Sequence, residues 1–351
     1  MENTMNGNSQ KPDEPDLSQT SERSEYSYER PRIGLALGAG VARGWAHIGV
    51  IRALERYGAK PDVIAGTSIG GVVGGVHAAG KLDHLADWVT SINRLKMLAH
   101  LDLRFGGGGL ISGEKLTEAM RKELGDTRIE DLPIRFAAIA ADLVTGHEVW
   151  LRQGDLVHGI RASMSLPGVF HPVEHQGRWL VDGAIVNPVP VSACRALGAQ
   201  LVIAVNLSSD LIGQIRSNNG PVPRVAGFDI IPMVEEELPK RAGLRGLRDR
   251  LWNPFAQALF NRSNREAPSL FGSMVATLNV VQDRITRSRL AGDPPDVQIS
   301  PKVGHIGLME FDRAEDLIKL GEAAVETCLS DIDDVMAVHG IPGGLSTRSW
   351  F

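Results

Sequence analysis

The sequence predicts an α/β protein built on a mainly parallel central sheet, with helices on both faces. Three observations carry that expectation. Short apolar runs recur, at Ile33–Leu37, Val63–Ala65 and Leu201–Asn206, and do not alternate with polar residues. Continuous runs of this kind mark strands buried on both faces, the usual condition in a parallel sheet. The first two runs each enter a glycine-rich loop and then a stretch with helical patterning, so the order reads strand, helix, strand, helix with short connections.

Taken in order, residues 1–30 are polar, rich in Ser, Glu and Asn, and nearly free of aliphatic side chains. Such a segment buries too little apolar area to offset its ordering entropy and reads as a disordered tail. The folded part starts at Pro31. Ile33–Leu37 is the first strand. A helix follows through Trp45, Ile48, Ile51 and Leu54, stopping at Gly58. Val63-Ile64-Ala65 is the second strand, and a helix of small residues runs on to Ala79. Phe136–Ala141 and Leu201–Asn206 read as further buried strands, and Trp179–Val181 as a shorter one ending at Asp182. Residues 31–310 are expected to form one domain, interrupted by an irregular, basic insertion over 207–272. A C-terminal helix is expected over 312–337, with Asp312 and Glu315 at capping-box spacing, then a frayed tail.

The 351 residues suffice for a sizeable core. Hydrophobic residues make up 43% and charged residues 23%, which is ordinary for a globular chain. The formal net charge of -5 gives no nucleic-acid signature. Two cysteines, Cys194 and Cys328, are too few for a disulfide framework and fit a reducing compartment. No leader pattern and no run of about 18 apolar residues is visible, so the expected location is cytoplasmic, with at most peripheral membrane contact.

Chemistry concentrates in two glycine-rich loops. Gly66-Thr67-Ser68-Ile69-Gly70 matches G-x-S-x-G, directly after an apolar strand and before a helix. That is the setting of a nucleophile elbow, where flanking glycines permit a sharp turn and the helix N-terminus favours developing negative charge. Gly38-Ala39-Gly40-Val41-Ala42-Arg43-Gly44 follows the first strand and can expose consecutive N–H groups to an oxyanion. It could also cradle a phosphate. A dinucleotide fingerprint, however, needs glycine where Arg43 stands and an acid at the end of the second strand, which runs into Gly66 instead.

A serine nucleophile needs a base. Ten histidines are present, but His305 and His339 alone follow the serine late enough for the usual acid-then-histidine order, and neither sits in a motif. His47 reads as a packed or capping residue. Asp182 ends an apolar strand and precedes Gly183-Ala184, which projects it from a strand terminus at a tight turn. With an unperturbed pKa near 3.9 it needs partial desolvation to act as a base.

The three motifs in this order, Gly38–Gly44, Gly66–Gly70 and Asp182-Gly183-Ala184, resemble the patatin-like phospholipase family. Gly44-Trp45-Ala46-His47-Ile48-Gly49-Val50 and the stretch Val181–Pro190 resemble its bacterial stand-alone branch (the RssA type), related to the catalytic domain of neuropathy target esterase. The resemblance covers about residues 31–310. It implies a patatin fold, no metal and no cofactor. It also implies a Ser68–Asp182 dyad acting on lipid or lysophospholipid esters through an acyl-serine. Gly38, Ala39, Gly40, Val41, Arg43 and Gly44 would form the oxyanion loop, with Arg43 helping to hold it. Ala39 and Val41 stand where many members have glycine, which leaves backbone donors intact unless a position needs φ > 0. The alternative is a patatin-fold regulatory or scaffold protein with little activity; a third reading is a Ser-His-Asp hydrolase using His305.

Two further stretches stand out. Arg161–Gly168 resembles a family segment near the site, but its Ser163 and Ser165 lack the elbow pattern and are assigned packing and capping roles. Residues 238–265 carry Lys240, Arg241, Arg245, Arg248, Arg250, Arg262 and Arg265 against one acid, Asp249, interleaved with leucines at near-helical spacing. A basic amphipathic segment of this kind can lie on an anionic membrane surface or pack on its own domain.

Overall fold

The computed structural model describes residues 30–91, 109–209 and 270–341. The chain divides into two units at Arg30, and every element named below belongs to the second, Pro31–Phe351.

In chain order, β1 (Ile33–Leu37) leads through a 3₁₀ turn (Val41–Trp45) into α1 (Ala46–Arg56). β2 (Val63–Thr67) passes directly into α2 (Ile69–Ala78), which is followed by α3 (Leu82–Ser91). Next come β3 (Gly109–Ile111), α4 (Glu114–Leu124), β4 (Arg135–Asp142), β5 (Glu148–Leu151) and α5 (Leu156–Ser163). β6 (Gly168–Phe170), β7 (Val173–His175) and β8 (Arg178–Asp182) precede α6 (Val191–Ala196) and β9 (Leu201–Val205). The chain ends with α7 (Leu270–Gly292), β10 (Val297–Ile299), α8 (Ala314–Glu326) and α9 (Leu329–Val338).

Five strands are parallel, in the order β10-β9-β1-β2-β4. β1, β2 and β9 are buried at every position, as their unbroken apolar sequences require. Beyond β4 the sheet turns antiparallel, through β8 and β7, with β5 also on β4. β3 and β6 form a separate two-stranded ribbon. One face of the sheet buries the larger core, with Ile48 and Ile51 of α1, Val73 of α2, Ile160 of α5 and Leu317 of α8. The other face packs Val191, Ala193 and Cys194 of α6 onto Ala36, Ala65 and Ala204. α8 lies very close to α1: a Cβ on Gly49 would run into the Ile318 carbonyl, and one on Gly321 into that of Ala46.

The registers decide where the strand ends meet. β5 pairs with Ala138–Ala141 on one edge of β4, so β8, which pairs with Ala140–Asp142, lies on the other edge, the one β2 occupies. β2 reaches Ile139 with Thr67, and β8 arrives from the opposite direction to reach Ala140 with Asp182. Two strands running toward each other along one edge therefore bring Ser68 and Asp182 together.

The C-terminal expectation needs correction. Residues 312–337 form two helices rather than one, with the break at Thr327–Cys328. The N-cap does not fall on Asp312: a 3₁₀ turn at Phe311–Arg313 precedes α8, whose N-cap is Arg313, without a side-chain cap. Sequence reading also missed the 23-residue helix α7. Its signal was the run Ser273–Ala291, free of proline and glycine. The segment 238–265 and most of the 207–272 insertion lie outside the described residues. Among the described residues no helix is long and apolar enough to cross a membrane.

Candidate active site

At the end of β2 the backbone turns through Ser68 with φ 58° and ψ −123°. A non-glycine residue held there is strained by about 1–3 kcal/mol and persists only where its surroundings enforce it. Here the enforcement is steric. A Cβ on Gly66 would collide with the Gly70 carbonyl, and one on Gly70 with the Leu37 carbonyl. Only glycines let α2 start this close to the strands. Ser68 becomes the N-cap residue of α2, its hydroxyl free of capping duty, with the positive end of the helix behind it.

The Ser68 hydroxyl donates to Asp182 Oδ2 at 2.6 Å. Asp182 Oδ1 accepts the Ala184 N–H at 2.8 Å, which gives the Asp-Gly-Ala motif its purpose. Gly183 between them lies against the Ile139 carbonyl, with no room for a Cβ. Asp182 is 1% exposed and Ser68 9%. A hydroxyl and one amide are thin replacement for bulk hydration. Burial therefore dominates and pushes the Asp182 carboxyl from its ordinary 3.8 up to about 7.

The amides of the Gly38–Gly44 loop divide into used and unused. Gly38 N donates to Val205 O, Ala39 N to Pro188 O, Ala42 N to Leu308 O and Arg43 N to Gly40 O. Among the described residues, no such acceptor takes the amides of Gly40 and Val41. The six-residue donor set read from sequence thus narrows: Gly38, Ala39 and Arg43 spend their N–H groups inside the fold. Val41 itself sits at φ 51°, so this loop does contain a position in the left-handed region, filled by a β-branched residue. Gly44 faces Ile69 with no space for a side chain.

Two buried side chains hold the loop. Arg43 donates from Nε to Ile306 O at 2.7 Å and from Nη2 to Gly304 O at 3.3 Å. His47 is fully buried and burial lowers its pKa to about 4, so the ring is neutral. Its Nε2 must then carry the proton it donates to Gly38 O, 2.7 Å away.

The resemblance put the Arg161–Gly168 segment near the site but gave Ser163 and Ser165 only packing and capping roles; both bond the site residues directly. Ser163 Oγ accepts the Ser68 N–H at 3.0 Å and donates to Ile139 O at 2.6 Å. Ser165 O accepts the Asp182 N–H at 2.9 Å. Thr67 Oγ1 also donates to Asn187 O, fixing the end of β2 to the Val181–Pro190 stretch. Long-range bonds of this kind leave no local sequence pattern. His305 is exposed in the turn whose neighbouring carbonyls hold Arg43, and among the described residues no histidine bonds to Ser68.

Above the pair lies a cavity of about 720 Å³, with walls that are mainly apolar. Ser68, Asp182, Gly40 and Val41 share its floor, and Asn279 and Gln282 of α7 reach it from one side. Among the described residues no cluster of three or more His, Cys, Asp or Glu could hold a metal ion.

A strained serine bonded to a buried aspartate on such a sheet places the chain in a class that comparison confirms: residues 35–195 match the family described as patatin-like phospholipase. Over 339 residues the chain is 36% identical to an uncharacterized NTE family protein of Mycobacterium tuberculosis (strain H37Rv), covering 87% of this chain and 93% of that one. The chain belongs to the NTE family. Lysophospholipase NTE1 of Saccharomyces cerevisiae is 30% identical over 323 residues, which span 90% of this chain and 17% of that far longer protein. Lysophospholipase nte1 of Aspergillus fumigatus is 29% identical over 300 residues, 83% of this chain and 18% of that one. The solved structure of VipD from Legionella pneumophila aligns at a TM-score of 0.35 and 12% identity, over 88% of this chain and 80% of that one.

Proposed function

We propose that this protein is a lipid acyl-ester hydrolase that works through an acyl-Ser68 intermediate, with Asp182 as the base. The observation that carries the reading is the 2.6 Å bond from Ser68 Oγ to Asp182 Oδ2 at the floor of an apolar cavity. Asp182 takes the Ser68 proton as Oγ bonds to the ester carbon. The negative charge that develops on the carbonyl oxygen is held by the amides of Gly40 and Val41, aided by the N-terminus of α2. On collapse the ester C–O bond breaks and the alcohol leaves with the proton from Asp182. Water then repeats the sequence on the acyl-serine, with Asp182 again accepting a proton, and the carboxylic acid departs. A carboxyl whose pKa lies near 7 is matched to this task, because it is substantially ionised at neutral pH yet basic enough to take a proton.

The apolar walls suit an acyl chain, and the lysophospholipase names of the fungal relatives favour a lipid substrate. Labelling with a fluorophosphonate probe, alongside release of p-nitrophenol from acyl esters, tests the reading on wild type, Ser68→Ala and Asp182→Asn. Wild type should label and turn over, and both folded variants should fall to background. Labelling of Ser68→Ala as strong as wild type would place the nucleophile elsewhere.

A further inference from the structure

We propose that the cavity is a channel open at both ends, and that the length of its apolar wall, rather than a closed end, sets how much of an acyl chain is recognised. This rests on the acyl-ester reading above and adds a second mouth to it.

The channel follows α2. Ile69, Val72 and Val76 face into it at successive turns, so the apolar wall extends eight residues past Ser68, about 12 Å at the helical rise. Leu85 and Trp88 of α3, and Met120 and Leu124 of α4, also line it. Beyond Val76 the lining changes character. Lys81, His84, Asp87, Lys122 and Glu123 all border the cavity, and all but Lys81 are exposed. His84 Nδ1 and Glu123 Oε2 lie 3.6 Å apart, with side chains 63% and 57% exposed, across the gap between the start of α3 and the end of α4. Charged groups cannot line a sealed apolar pocket without a large desolvation penalty. Their presence and exposure mean that water reaches this end.

A chain seated on Ser68 therefore meets apolar walls for roughly ten carbons at 12 Å, and hydrated charge after that. Within the wall each added methylene raises kcat/KM by up to about fourfold, the equivalent of burying one CH2 group. Past the second mouth further carbons protrude and add nothing. They are not rejected, as a blind pocket would reject them.

The test is the chain-length profile of the full protein on p-nitrophenyl esters from butanoate to hexadecanoate at fixed detergent. The wild-type kcat/KM should climb to about decanoate and stay flat to hexadecanoate. Val76→Phe sets a ring across the channel and should lower the hexadecanoate-to-octanoate ratio about tenfold or more, since the lost methylene contacts multiply. The pair His84→Leu with Glu123→Leu, at exposed positions that do not threaten folding, lengthens the apolar wall by about one turn and should move the plateau roughly four carbons later. A steep wild-type fall beyond dodecanoate, a rise that continues to hexadecanoate, or an unmoved plateau in the rim pair would each overturn the inference. Wild type inert on every ester would instead take down the acyl-ester reading, and the channel with it.

Discussion

Replacing Asp182 by Asn should stabilise the protein, and by an amount that grows with pH. The folded state raises the Asp182 carboxyl from 3.8 to about 7. A raised acid binds its proton more tightly folded than unfolded, so the sign is opposite to that of a salt-bridged aspartate. Below pH 3.8 both states are protonated and nothing is lost. As pH rises from there toward 7 the unfolded chain ionises freely while the folded one resists, and stability falls; above 7 the loss is constant. Integrating over that window gives a penalty of about 2 kcal/mol at pH 5 and about 4 kcal/mol at pH 8. The amide introduced by Asp182→Asn resembles the protonated acid at every pH. Any fixed difference in its hydrogen bonds to Ser68 and Ala184 cancels when two pH values are compared.

The measurement is reversible urea unfolding of both proteins at pH 5 and pH 8. The advantage of Asp182→Asn over wild type should widen by about 2–3 kcal/mol between them, because all other titrating groups are common to both proteins. An advantage that stays constant, or shrinks as pH rises, would refute the reasoning. It would mean that the carboxylate is stabilised in the fold and that burial does not control it.

Two further outcomes follow from the same geometry. The kcat/KM for a short acyl ester should rise about tenfold per pH unit below pH 7 and level off above it, as Asp182 ionises; a profile flat from pH 5 to 9 would rule out Asp182 as the base. Ser163→Ala removes the hydroxyl that accepts the Ser68 N–H in a buried setting, and should cost about 1–3 kcal/mol in unfolding free energy together with about a tenfold loss in kcat. An unchanged kcat, measured on folded protein, would show that Ser163 does not hold the elbow.

Much of the site was legible because its constraints are local. The turn at Ser68 needs glycine at 66 and 70 for steric reasons, so the elbow writes itself into five consecutive residues. Asp182 needs a donor two residues on and no Cβ at 183, so Asp-Gly-Ala is likewise a local signature. The supports are not local. Ser163 is 95 residues from Ser68, and Arg43 reaches across 263 residues to Ile306. Each is an ordinary serine or arginine in its own neighbourhood, and only the fold gives it a partner. The loss of Gly38 and Ala39 as free donors belongs with these, because the acceptors that occupy their amides come from distant segments: Val205 and Pro188.

The fold class and the buried parallel strands were readable from the sequence, which also singled out Ser68 and Asp182, the two residues that the fold joins by a hydrogen bond. Apolar runs and glycine positions are consequences of short-range sterics and burial, and those act residue by residue. Tertiary structure alone decided that β8 runs antiparallel to β4 and abuts β2 along one edge, so that the two strand ends meet. A buried strand reads the same in either direction, since burial has no polarity; direction is settled only by which neighbour accepts its hydrogen bonds. The same holds for the carboxyl near pH 7. Its shift comes from the removal of water by the surrounding elements, and no spacing along the chain encodes that.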